Sequence, residues 1–137
     1  MMPESIRKEV ADINRSLRNG KEVTQVPAYL QALFRPSVQP YLISWYKYNP
    51  QTVIASLKMP VLILQGKNDI QVKEEDAMLL KKASPKAELV LIDKMNHVLK
   101  DCESTEPQKQ MAVYNNPSLP VNAALMNATV RFVNNSK

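Results

Sequence analysis

Apolar residues in the first part of the chain recur every three or four positions. Ile6, Val10, Ile13 and Leu17 fall at i, i+4, i+7 and i+11, one face of a 3.6-residue period. That spacing predicts an amphipathic helix over 3–19, with Pro3 suited to its first turn and Gly20 to the position past its end. A second short helix is expected over 26–35, with Leu30, Leu33 and Phe34 on one side. A third runs from Ser37 to Tyr48, with Ser37 as N-cap and Pro40 tolerable only near the start. Pro50 to Leu57 gives a fourth.

The period then changes. Val61 to Leu64 is a continuous apolar, β-branched-rich run, followed by Gln65 and Gly66, the pattern of a parallel strand buried on both faces. Lys73 to Ala83 reads as a helix. Glu74, Glu75 and Asp76 lie in its first turn and Lys81 and Lys82 in its last, which complements the helix dipole. Ser84-Pro85 stops it. Glu88 to Asp93, "ELVLID", is a second buried-type strand, followed by a loop holding Met95, Asn96 and His97. Residues 100–118 are polar and read as irregular. Pro120 to Val133 is a last helix, with Val121, Ala124, Leu125, Ala128 and Phe132 aligned. There is no internal repeat. The order α-α-α-α-β-α-β-α predicts an α/β protein with one right-handed β-α-β unit in its second half.

Composition narrows the chemistry. The length of 137 residues suits one ordinary domain, and 45% apolar content suits a soluble globular core. Only Gly20 and Gly66 are glycines, which excludes a Rossmann fingerprint and a P-loop. The net charge of +5 comes from scattered basic residues with no run of five, so it reads as solvated surface and no nucleic-acid partner is expected. One cysteine, Cys102, excludes an internal disulfide. With a single histidine beside it, a Cys/His zinc site is excluded too, and no metal or cofactor is expected. No apolar run reaches the roughly 18 residues that a membrane-spanning helix needs. The start, "MMPESIRKEV", lacks the apolar region of a signal peptide, so the compartment is left open with the cytoplasm favoured.

Two residues carry candidate chemistry. A five-residue strand over Val61–Gln65 extends ~17 Å at ~3.3 Å per residue. The following helix returns about as far at ~1.5 Å per residue. The second strand then runs parallel to the first, ~4.8 Å away if adjacent. Asp69 and His97 therefore both fall just beyond the carboxyl ends of parallel strands, the rim where open α/β sheets bind ligands. A carboxylate that accepts the Nδ1 proton of a histidine fixes its tautomer and stabilises the imidazolium. The other ring nitrogen can then take a proton from a nucleophile.

"PVLILQGKNDIQV" followed by "ELVLIDKMNHVLKD" resembles the last two core strands of an α/β-hydrolase. Asp69 matches the triad acid after the penultimate strand and His97 the triad base after the last one. Asn96 beside His97, "HVLK", "NNPSLP" and a final helix are similar to bacterial serine esterases of the carboxylesterase or S33 peptidase-like branch. The resemblance covers most of residues 37–133. It implies a helical cap-like segment over 1–48 and the C-terminal part of a hydrolase core over 49–137. It also implies a small acyl-ester substrate for the complete enzyme. Substrate acyl length, and ester against thioester or amide, stay open.

The family's order is Ser, Asp, His, with the serine in a G-x-S-x-G elbow. None of the nine serines sits in such an elbow, and the oxyanion loop is missing too. The chain is therefore expected to be inactive alone. It would be a fragment, a truncated reading frame or a proteolytic product. The alternative is a catalytically inactive, hydrolase-derived module for oligomerisation or binding.

Neighbouring residues take plainer readings. Cys102 is a bystander, and Lys67 and Asn68 are turn residues, with Asn68 a candidate to orient the loop. Met95 and Val98 pack around His97 or line an acyl pocket. Phe34, Tyr41, Trp45, Tyr46 and Tyr48 belong to core or cap packing. An isolated two-stranded parallel unit leaves an apolar edge that recruits another chain. Self-association, or pairing with an N-terminal half, is thus expected. Sedimentation checks this: a sharply monomeric, cooperatively folded species counts against it.

Overall fold

The computed structural model describes residues 3–136. The chain is helix-rich with one small parallel sheet, and it divides into two compact units, Met1–Asn49 and Pro50–Lys137. No helix among the described residues is long and apolar enough to cross a membrane.

The first unit is all helical. Helix α1, Glu4–Arg18, buries Ile13 and Leu17, with Ile6 and Val10 half-buried on the same stripe. Pro3 sits outside the helix as its N-cap. Past the end, Gly20 is left-handed at φ 73°, so that its N–H reaches the Leu17 carbonyl and that of Lys21 the Ser16 carbonyl. This pair of bonds closes orphan carbonyls of the last turn. The expected second helix is split into a 3₁₀ turn, Ala28–Leu30, and a single α-turn, α2, Gln31–Phe34. Leu30 and Phe34 enter the core with Val26, while Leu33 points outward. Pro36–Val38 is another 3₁₀ turn that contains Ser37, so Ser37 does not cap α3, Gln39–Tyr46.

Two features of α3 correct the sequence reading. Gln39 is fully buried and pairs with main chain: its Oε1 accepts from Val23 N–H, and its Nε2 donates to the Val23 and Phe34 carbonyls. The aromatic residues also divide by face. Leu42, Ile43 and Tyr46 pack inward, whereas Tyr41, Trp45 and Tyr48 are exposed, the first two with ring centroids 4.7 Å apart.

The second unit holds helix α4, Pro50–Ser56, strand β1, Leu62–Gly66, helix α5, Glu74–Ala83, and strand β2, Glu88–Ile92. The strands pair in parallel, from Leu62 opposite Glu88 to Gly66 opposite Ile92. Side chains alternate across this pair. Ile63 and Leu89 pack with Ile54, Ala77, Leu80 and Ala87 on the α4–α5 face. Leu64, Val90 and Ile92 pack with Met95 and with Leu125 of α7, Ala123–Asn135, on the other. The strands were expected to be buried throughout, but in β2 only Ile92 is fully buried. Residues 100–118 are not irregular: Pro107–Tyr114 forms helix α6, with Pro107 in its first turn. Its one fully buried residue is Gln110, so it has no apolar stripe to betray it.

Gly66 ends β1 directly against the Met95 backbone, where a methyl group would overlap the Met95 carbonyl. Gly66→Ala should therefore cost about 1–3 kcal/mol, more if the backbone cannot move. Gly20 has open space around it, so Gly20→Ala should cost about 1 kcal/mol, from its left-handed backbone alone. Urea unfolding midpoints of the two variants check the ranking.

Candidate active site

The acid loop begins where β1 ends. The Asp69 N–H bonds the Gly66 carbonyl, tightening a turn that aims the carboxylate back over the strand ends. Asp69 Oδ1 accepts the N–H groups of Gln71 (2.7 Å) and Val72 (2.9 Å), an Asx-type turn. Oδ2 faces His97 Nδ1 at 2.9 Å, with the imidazole donating to the carboxylate. The Asp69 side chain is 8% exposed and that of His97 39%. Burial pushes the Asp69 pKa up, but the Val72 N–H, the His97 hydrogen bond, the Gln71 N–H and the His97 charge together outweigh it. The pKa is held below the ordinary carboxylate range. With Nδ1 engaged, Nε2 is the nitrogen free to exchange a proton with a reacting group.

The His97 loop is braced at several points. Lys94 and Leu99, flanking it at φ 59° and 62°, are left-handed, a conformation costing about 1 kcal/mol or more for residues with a Cβ. Cys102 N–H bonds the Lys94 carbonyl, and Asn96 bridges the loop twice to Lys100, through its N–H and its Oδ1. Met95 pairs with Asp101 as an isolated antiparallel bridge. The α7 N-cap, Asn122, donates from its backbone to the Leu99 carbonyl and from Nδ2 to Asp101, while its Oδ1 accepts the Leu125 N–H. The last helix is thus fastened to the histidine loop by one residue, Asn122, through both its backbone and its side chain.

The two loops are also joined directly. Lys67 N–H bonds the Ile92 carbonyl and Asn68 N–H the Met95 carbonyl, continuing the β ladder past Gly66. Asn68 Nδ2 donates to the Cys102 carbonyl at 2.6 Å, so Asn68 does orient the loop. Lys67 forms an exposed pair with Asp93 at 2.7 Å, a contact of small energetic weight. Cys102 is buried, its thiol bonded to the Ser104 carbonyl. Met95 is buried beneath the pair and Val98 half-buried.

Four serine hydroxyls are engaged away from His97. The hydroxyls of Ser44, Ser56 and Ser136 bond carbonyls of their own helices, and that of Ser104 accepts the Glu106 N–H. Among the described residues no group of three or more His, Cys, Asp or Glu side chains could hold a metal ion. A hollow of about 320 Å³ beside Asp69 is lined by Lys67, Lys73, Glu74, Glu75 and Met78. A larger one, about 740 Å³, lies where the strands begin, between Leu57–Val61 and Ala83–Ala87, away from the pair. Neither is lined by His97.

Sequence reading missed most of the bracing amides. Gln65, interrupting an apolar strand, was a legible signal: it is buried and donates to the Gly66 and Val72 carbonyls at either end of the acid loop. Asn122, just ahead of a helical period, was another. Gln110 gave none.

The chain matches no protein-family model, no curated protein and no solved structure.

The lowered Asp69 pKa sets a pH dependence. A carboxyl more acidic folded than unfolded contributes stability above its unfolded value and loses it as pH falls through the folded one. Asp69→Asn should cost about 2 kcal/mol at neutral pH, the scale of a charged hydrogen bond. The gap from wild type should close on acidification below about pH 4. Urea unfolding across pH tests this; a gap that stays constant contradicts it.

Proposed function

We propose that this chain is the C-terminal part of a serine hydrolase of the α/β-hydrolase superfamily, acting on carboxylic esters or related acyl bonds. The observation that carries the reading is the 2.9 Å Asp69–His97 contact beyond the carboxyl ends of two adjacent parallel strands. Its asymmetry suits the roles. The Asp69 carboxylate is largely shielded and held ionised by three hydrogen bonds and the His97 charge, as an orienting acid must be. His97 is accessible, as a general base must be.

In this scheme Nε2 of His97 accepts the proton of a serine hydroxyl as that oxygen attacks the acyl carbon. His97 then returns the proton to the leaving alcohol. Asp69 stays ionised and stabilises the imidazolium formed between the two steps. Neither a G-x-S-x-G serine nor an oxyanion-stabilising loop can be written with Gly20 and Gly66, so both belong to sequence outside these residues. Without them acyl transfer by this chain alone is negligible.

Coding DNA ahead of Met1, read for a G-x-S-x-G stretch, gives the first check. A p-nitrophenyl acyl ester assay gives the second. The chain alone should be inactive, and the chain joined to its serine-bearing half should hydrolyse the ester. His97→Ala in the joined form should lower kcat by about 10⁶-fold. Inactivity of the joined form would favour the other reading, a hydrolase-derived module without catalysis. Robust activity of the chain alone would reveal a nucleophile within it.

A further inference from the structure

Helix α6 grips the acid loop on both sides of Asp69. On one side, Gln110 Nε2 donates to the Asn68 carbonyl at 3.0 Å and to the Ser104 carbonyl at 2.7 Å. On the other, the Tyr114 hydroxyl accepts from Gln71 Nε2 at 2.9 Å. Asn68 and Gln71 bracket the acid, and the Gln71 N–H is itself a donor to Asp69 Oδ1. Gln110 and Tyr114 are one helical turn apart, so a single rigid element sets both ends of the loop. Gln110 is fully buried, and its Oε1 has no protein partner among the described residues. A glutamine that serves only to fill space would be replaced at lower cost by an apolar side chain of similar size. Its Nε2 is the useful end: it ties the acid loop, through Ser104, to the chain that leaves the histidine loop.

We infer that α6 is the positioning element of the Asp69–His97 pair, with Gln110 and Tyr114 as its positioning residues. Neither touches a reacting atom. Gln110 fixes where the acid loop starts and Tyr114 where it turns away, so Asp69 Oδ2 is kept in line with His97 Nδ1. Four charged side chains of the two loops are engaged elsewhere: Lys67 on Asp93, Lys94 on Glu103, Lys100 on the Asn116 carbonyl and Asp101 on Asn122. The neutral bonds from α6 thus add lateral restraint to that given by Gln65, by the Asn68 side chain and by the Lys67 and Asn68 N–H bonds. The value of this restraint to catalysis rests on reading Asp69 as a triad acid. The restraint itself is measurable with no substrate, so a failed hydrolase assay and a failed positioning test have separate signatures.

The test uses the whole chain. Gln110→Met keeps volume and removes the donor; Tyr114→Phe, at a half-buried site, removes only the hydroxyl. Amide hydrogen exchange at Gln71 and Val72, whose N–H groups bond Asp69, reports the loop, and the Asp69 carboxyl ¹³C shift followed against pH reports the acid. In Gln110→Met, exchange at both amides should rise about fivefold relative to β1 amides, matching the loss of one neutral hydrogen bond. The Asp69 titration should move up toward the ordinary carboxylate range. Tyr114→Phe should move both readouts the same way by less. If Gln110→Met fails to fold, Tyr114→Phe decides alone. Wild-type exchange and an unmoved Asp69 titration in a folded variant overturn the inference, as does a uniform rise in exchange across the second unit, the mark of general destabilisation.

Discussion

The second unit depends on one close approach of backbone to backbone. At the end of β1, Gly66 lies so near the Met95 carbonyl that any side chain would collide with it. That contact lets the parallel ladder run on past the strands, through Lys67 to Ile92 and Asn68 to Met95. Both loops therefore leave the sheet already joined. Asp69 and His97 meet because their loops are bonded together before either side chain is placed.

Above this contact the construction changes from apolar to polar. Below it, the sheet is held by Ile63, Ala77 and Ala87 on one face and by Ile92, Met95 and Leu125 on the other. Above it, amide side chains do the joining: the buried Gln65, Asn96, Gln110 and Asn122, and the half-buried Asn68. Dispersion and area burial tolerate small sideways shifts, whereas a hydrogen bond weakens steeply with angle. A proton-transferring pair needs the second kind of restraint. The cost is visible in two left-handed residues, Lys94 and Leu99. Strain of this sort persists where surrounding bonds over-determine the backbone.

The first unit solves a similar problem with Gln39, which pairs with Val23 as a strand would and closes a loop that has no sheet partner. Its α3 carries aromatic residues on both faces, with Tyr46 inward and Tyr41 and Trp45 outward. The alternation of apolar and polar positions is weak there, so periodicity could not tell which face was buried.

Periodicity and strand-like runs placed α1, the two strands and α7, while α5 was placed by the acidic residues of its first turn and the basic ones of its last. The same reading put Asp69 and His97 at the ends of adjacent parallel strands. The positions of Gln39, Asn96 and Gln110 were set only in three dimensions. A glutamine that will be buried and bonded has the same local sequence as one that will face water, and α6 was missed because its single buried contact is polar. Sequence by itself determined most of the elements, α6 excepted, and which two titratable groups share a rim. Tertiary structure decided how firmly that pair is held, since the restraining bonds run to carbonyls as far as 42 residues away in the chain.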